Sequence, residues 1–213
     1  MSGLLISVDG PSGLGKSTAV AATARALAAS GHTVHTATGP STTPYGTAVR
    51  QAAATMRGRA LALAVAADRL HQLDTDIRPH RAAGTTVLMD RWMASTLVLQ
   101  RADGVDVDFL LTINQGADVP DLAVILTADP DTVQRRLAVR GTRHRFELDS
   151  AATARELRLY TEAVPILNRL GYRLHTIDTT HLTAEQTAQA ILGAVPDRAI
   201  NTKTPQGSER EHE

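Results

Sequence analysis

The sequence has no cysteine, which removes disulfides, thiolate metal sites and a cysteine nucleophile at once and fits a reducing, cytoplasmic location. Aromatic residues are scarce: two Phe, three Tyr and one Trp in 213 residues. Neither charge sign dominates, with 22 Lys+Arg against 22 Asp+Glu, so no basic field argues for a nucleic acid polymer or a membrane surface as partner. No apolar run approaches the ~20 residues of a membrane span. The first nine residues lack a basic segment and reach Asp9 after few apolar positions, so they read as a strand and not as a secretion signal. What is present is ordinary for a globular chain. Hydrophobic residues make up 43% and charged residues 21%, in a length that suits one domain with a sizeable core.

Short apolar runs alternate with longer helical stretches. Strands are expected near residues 4–8, 32–36, 85–89, 122–126 and 173–177, with helices at 17–30, 52–73, from Pro130, at 151–170 and at 183–195. Asp129 before Pro130, and Thr183, are the expected N-caps. That alternation implies a parallel sheet covered on both faces. The expected domain is 1–196, and the polar stretch 197–213 reads as a disordered tail.

Gly10-Pro-Ser-Gly-Leu-Gly-Lys16-Ser17 fits the G-x-x-x-x-G-K-[ST] pattern and lies between the first strand and the first helix. Phosphate oxygens must approach backbone N–H groups closely, so glycines supply positive φ and remove Cβ while the helix N-terminus adds partial positive charge. ATP is therefore expected on Gly10, Ser12, Gly13, Gly15, Lys16, Ser17 and Thr18, with Lys16 on the β and γ phosphates and the Ser17 hydroxyl on Mg²⁺. Lys16 is one of only two lysines in the chain and is expected in a solvent-facing loop. The fold expected is an α/β three-layer sandwich of P-loop NTPase type, with a central, mainly parallel five-stranded sheet.

Asp90-Arg91-Trp92 follows the third strand, at the carboxyl edge where such sheets bind ligands. Asp90 is a candidate for Mg²⁺ and Arg91 for a phosphate, while Asp9 either aims at the same metal or caps a turn. Five arginines fall within residues 135–145; Arg140, Arg143 and Arg145 are candidates to close over phosphates from a lid at about 136–148. The eight histidines show no metal-ligand spacing and read as surface or turn residues.

Taken together, these residues resemble the thymidylate kinase family of nucleoside monophosphate kinases, over about residues 3–195. Thr43-Pro-Tyr-Gly46 resembles the end of that family's Pro-Gly-Gly-Thr-Pro-x-Gly segment, Ala66-Ala-Asp-Arg69 its Ala-Ala-Asp-Arg helix, and Asp90-Arg-Trp92 its Asp-Arg-Tyr. Ser95-Thr-Leu-Val-Leu-Gln100 resembles the helix that follows, Pro120-Asp-Leu122 the approach to a strand, His144-Arg-Phe-Glu147 the end of the lid, and His175-Thr-Ile-Asp178 the last strand. The resemblance implies that Tyr45, Arg69, Arg91, Trp92, Ser95 and Gln100 hold a nucleotide-like acceptor, that Asp9 lies beside it, and that the protein is a homodimer. It also implies Mg-ATP as phosphate donor.

The departures fall on the acceptor. Where relatives carry an acid inside the phosphate loop this chain has Ser12, an Arg-Glu pair is replaced by Thr38-Gly39, and the aromatic positions that face a base are Val65 and Leu99. Phosphate-handling residues are kept while base-reading residues differ. Thymidine monophosphate is therefore expected to be a poor acceptor, unless Trp92 swings in as a substitute platform. Two other readings stand beside monophosphate phosphorylation: a kinase acting on a free hydroxyl with Asp90 as base, and a non-catalytic ATP-dependent switch.

Overall fold

Five short apolar runs pair side by side in the computed structural model, which describes residues 2–141 and 150–196. They are β1 (Leu5–Asp9), β2 (Val34–Thr38), β3 (Thr86–Asp90), β4 (Leu122–Thr127) and β5 (Leu174–Asp178), in spatial order β2-β3-β1-β4-β5. All four pairings are parallel. Side chains alternate across such a sheet, so β1 sends Leu5 to one face and Ile6 and Val8 to the other. Both faces are covered, which is why the central strands are largely apolar, with the buried Ser7 in β1 an exception.

The helices are α1 (Lys16–Ala29), α2 (Pro44–Ala52), α3 (Gly58–Gln72), α4 (Arg78–Ala82), α5 (Met93–Ala102), α6 (Val107–Ile113), α7 (Pro130–Arg140), α8 (Ser150–Arg169) and α9 (Ala184–Ala194). One core, built on Leu5, Val87, Met89 and Ile125, packs against α3, α5, α6 and α8. The other, built on Ile6, Val8, Leu88 and Val124, packs against α1, α7 and α9. The expected three-layer sandwich with five strands is the fold observed.

Two boundaries differ from the sequence reading. The single helix expected over 52–73 is broken: α2 ends at Ala52, the Arg57 guanidinium donates to the Ala53 and Ala54 carbonyls, and Gly58 at φ 61° starts α3 in a new direction. A π-helical turn, Leu73–Ile77, then leads into α4. β2 begins two residues late because it is an edge strand of mixed polarity, Val-His-Thr-Ala-Thr, in which no apolar run marks the start. Of the expected lid, residues up to 140 continue α7; Arg143 and Arg145 lie outside the described residues, as does the expected tail 197–213.

Two of the quoted segments meet at a buried carboxylate. Asp68 on α3 accepts from the Ser41 backbone N–H at 2.6 Å and from the Ser41 hydroxyl at 2.6 Å, and the Thr43 side chain caps α2 by accepting from the Gly46 N–H at 3.1 Å. Gly46 sits against this clamp, where a Cβ would collide with the Ser41 oxygens and stand 2.7 Å from Asp68 Oδ1. Backbone atoms do not yield as flexible side-chain ends do. Gly46→Ala is therefore expected to lose about 1–3 kcal/mol of stability by overpacking, measured by urea unfolding.

Candidate active site

The chain leaves β1 into α1 on one face of the sheet and leaves β3 into α5 on the other, so the loops after these adjoining strands diverge and open a crevice at their carboxyl ends. Their register, Val8 beside Asp90, puts Asp90 level with the start of the loop after β1. In that loop Gly10, Gly13 and Gly15 have φ of 141°, 84° and 75°. A Cβ on Gly10 would lie 2.5 Å from the Leu126 carbonyl oxygen, so the close approach to β4 needs glycine there. Helix α1 has no side-chain cap and no acid in its first turn, which leaves its leading N–H groups for an anion.

Lys16 opens α1 and is buried, not solvent-facing. Its ammonium donates to the Pro11 carbonyl at 2.7 Å. Burial, and after it the Arg91 guanidinium, lowers its pKa to about 7, against the opposing pull of Glu156, Asp90 and Asp9. The Ser17 hydroxyl donates to Asp90 Oδ2 at 2.5 Å, while Asp90 Oδ1 is buried without a hydrogen-bond partner among the described residues. Two hard oxygen donors with a carboxylate oxygen left over fit Mg²⁺, which takes a few such ligands and keeps water on the rest.

Beside this pair lies a cavity of about 290 Å³. Of the expected acceptor residues, Val65, Arg69, Arg91, Trp92, Ser95, Leu99 and Gln100 line it together with the metal candidate Asp90, brought together from α3, the end of β3, the turn after it and α5. Gln100 Oε1 is buried without a hydrogen-bond partner among the described residues. Arg69 is almost fully buried and donates to Asn114, to the Thr96 hydroxyl at 2.5 Å and to the Trp92 carbonyl at 3.4 Å; burial depresses its pKa. Arg91 has φ 76°, unusual for a residue with a side chain, and its guanidinium approaches the Ser95 hydroxyl at 3.5 Å. Burial opposes its charge, yet Tyr160, Glu156, Asp90 and Asp9 around it hold its pKa above the ordinary arginine value.

Three residues are placed differently from the sequence reading. Asp9 is 1% exposed, and its Oδ1 accepts from the Trp92 N–H at 2.8 Å and from the Ser95 N–H and hydroxyl at 3.0 and 2.6 Å, capping α5 from the neighbouring strand. Trp92 is also 1% exposed, with its indole N–H donating to the Asp118 carbonyl at 3.1 Å and its ring under Arg69, so it has no freedom to swing in as a platform. Tyr45 is exposed on α2, with its hydroxyl donating to the Ala64 carbonyl at 3.4 Å, and is not among the cavity's lining residues. Arg140 ends α7.

The sequence reading missed two residues. Arg50 lines the cavity and donates to the Pro40 carbonyl. Glu156 on α8 is buried and places both carboxylate oxygens 3.3 Å from the Ser12 N–H, an acid brought by packing to the loop position that has Ser in this sequence. No local pattern announces it, because its place follows from how α8 docks.

Two outcomes follow for Lys16. At pH 8 the free protein holds this group mostly neutral, whereas a bound triphosphate favours the ammonium, so ATP binding is expected to take up a proton and to weaken as pH rises above 7. Calorimetric titration in buffers of different ionisation enthalpy measures that uptake. Lys16→Ala should reduce turnover by about 10²-fold or more while the chain stays folded by circular dichroism.

Comparison with known proteins agrees with this geometry. The family model for thymidylate kinase matches residues 8–191. A probable thymidylate kinase of Caldivirga maquilingensis is 34% identical over 148 residues, covering 68% of this chain and 72% of the relative. A thymidylate kinase of Xanthomonas campestris pv. campestris is 31% identical over 217 residues, covering 90% and 95%. The structure of thymidylate kinase from Candida albicans shares the fold, with a TM-score of 0.75 over 90% of each chain at 21% identity. With a matching family model over nearly its whole folded length and relatives on either side of a third identical, the chain belongs to the thymidylate kinase family of ATP-dependent nucleotide kinases.

Proposed function

We propose that the chain transfers the γ-phosphate of Mg-ATP to a nucleoside monophosphate held in the cavity beside Asp90. The observation that carries this reading is the placing of three guanidinium groups, Arg50, Arg69 and Arg91, around one small cavity next to the phosphate loop. A neutral nucleoside hydroxyl has no use for that much positive charge, whereas a phosphomonoester dianion does. Lys16 and the N-terminus of α1 hold the donor phosphates, and Arg91, fixed by its backbone turn, orients the acceptor phosphate for in-line attack. Ser17 and Asp90 would hold Mg²⁺, whose chemistry there is neutralisation of charge on the β and γ phosphates. Asp9 acts by positioning Ser95 and the start of α5.

The far end of the cavity is aliphatic: Val49, Leu61, Val65 and Leu99, with the Gln100 carbonyl left to meet a donor on the base. Base stacking on an aromatic ring is worth about 1–3 kcal/mol, and among the described residues no ring takes that place, Trp92 being locked beneath Arg69. Thymidine monophosphate is thus expected to be a poor acceptor compared with the best monophosphate. A homodimeric, cytoplasmic enzyme goes with this reading, and light scattering on the purified protein measures the assembly.

An ADP-release screen over nucleosides and nucleoside monophosphates tests the proposal. Turnover is expected with monophosphates alone; turnover confined to nucleosides would move the reading to a hydroxyl kinase with Asp90 as base, and none at all to an ATP-dependent switch. Val65→Phe should raise kcat/KM for thymidine monophosphate by about tenfold if the missing platform limits it. Asp90→Asn should lower kcat with every acceptor by about 10–100-fold, with only partial rescue by extra Mg²⁺.

A further inference from the structure

Outside the acceptor cavity, side chains from three elements converge. His35 comes from β2, Asp76 from the π-helical turn and His80 from α4. The two imidazole rings stack with centroids 3.9 Å apart and planes 15° apart. Both Nε2 atoms face one carboxylate oxygen, with Asp76 Oδ1 2.9 Å from His35 and 3.6 Å from His80. One ligand atom from each of the three lies within 4.8 Å of the other two. The His35 nitrogen is buried, and the Asp76 oxygen beside it stands outside hydrogen-bond geometry, so that nitrogen has no hydrogen-bond partner among the described residues.

This arrangement has the chemistry of a ligand set. Two imidazole nitrogens and one carboxylate oxygen suit zinc and its neighbours, whereas the all-oxygen pair Ser17–Asp90 suits magnesium. Zinc binds such atoms at about 2.0–2.2 Å, which sets tetrahedral ligands about 3.4 Å apart, and the two N···O separations bracket that value. The side chains are 28%, 32% and 43% exposed for His35, Asp76 and His80, so an ion has an entry path and water can complete its shell. A π-helical turn inserts a residue into the helical register and recurs at functional positions; here it carries Asp76. We propose that His35, Asp76 and His80 form a site for one divalent transition-metal ion of the zinc class, tying edge strand β2 to the helical layer beside it. The site does not depend on the identity of the acceptor. It shares a groove with Ser17 and Asp90, and β2 runs from His35 to Thr38 at the rim of the acceptor cavity, so the ion would stiffen the strand that frames the site.

The test uses the full chain without an affinity tag, stripped with chelator and titrated with Zn²⁺ in excess Mg²⁺ and without nucleotide. The expected result is saturable binding of one Zn²⁺ per chain and a rise in Tm, with affinity falling about tenfold or more in His80→Ala and in Asp76→Asn. In the unaltered protein, ring resonances of two of the eight histidines should respond to the first equivalent of zinc. His80 is partly exposed and Asp76→Asn preserves shape, so both variants are expected to fold, and circular dichroism checks that they do. Absence of saturable binding, unchanged affinity in both variants, or a response from histidines other than His35 and His80 would overturn the proposal.

Discussion

The parallel pairing of β1 with β3 is the constraint on which the site depends. Its register sets Val8 beside Asp90, and one residue further on the Asp9 carboxylate meets the leading N–H groups of α5. A buried carboxylate is tolerable only if it is well hydrogen-bonded, and Asp9 collects three donors, each worth about 1.5–3 kcal/mol when the acceptor is charged. That bond set fixes where α5 begins and hence the faces on which Ser95, Leu99 and Gln100 stand. The same strand ends carry the phosphate loop and Asp90-Arg91. Donor and acceptor halves are therefore registered to each other by one strand pair.

Charges of both signs crowd together in the site. Lys16 and Arg69 are buried together with Asp9 and Glu156, beside the half-buried Asp90 and Arg91, and Lys16 is held near neutrality because burial and Arg91 outweigh the carboxylates. Arg91 adds backbone strain, of order 1–3 kcal/mol for a side-chain-bearing residue at positive φ, to bring its guanidinium over the crevice. Strain and buried like charges persist because the strands on either side leave the segment no other path. Phosphate groups relieve the repulsion, so binding energy and preorganisation come from the same residues.

Beside the cavity, packing brings together groups far apart along the chain. Ser12 leaves the phosphate loop without its own acid, and Glu156, 144 residues away, reaches the same backbone N–H from α8. Aliphatic Val65 and Leu99 wall the region where a base would lie, while Trp92, the chain's single Trp, is used in the core beneath Arg69. In the proposed reading, selectivity would rest on the Gln100 amide and on cavity shape more than on stacking.

The sequence by itself determined the sheet, the phosphate loop and most of the cavity lining. The apolar runs of β1, β3 and β4, buried on both sides, have to be central strands of a parallel sheet, and the glycine spacing before Lys16-Ser17 suits close approach of backbone N–H groups to phosphate. Local chemistry also sufficed for the caps at Asp129 and Thr183, each of which bonds an N–H three residues on. Only the tertiary structure decided the rest. The break between α2 and α3 depends on Arg57 reaching back to carbonyls and on Gly58 turning, neither visible in an Ala-rich periodic stretch. Asp9 became a cap because β3 lies beside β1, Glu156 reached the loop because α8 docks there, and His35 met Asp76 and His80 because a π-helical turn lies against β2. The last three join residues more than forty positions apart, and such pairs are fixed by strand register and helix docking, which no local pattern of side chains encodes.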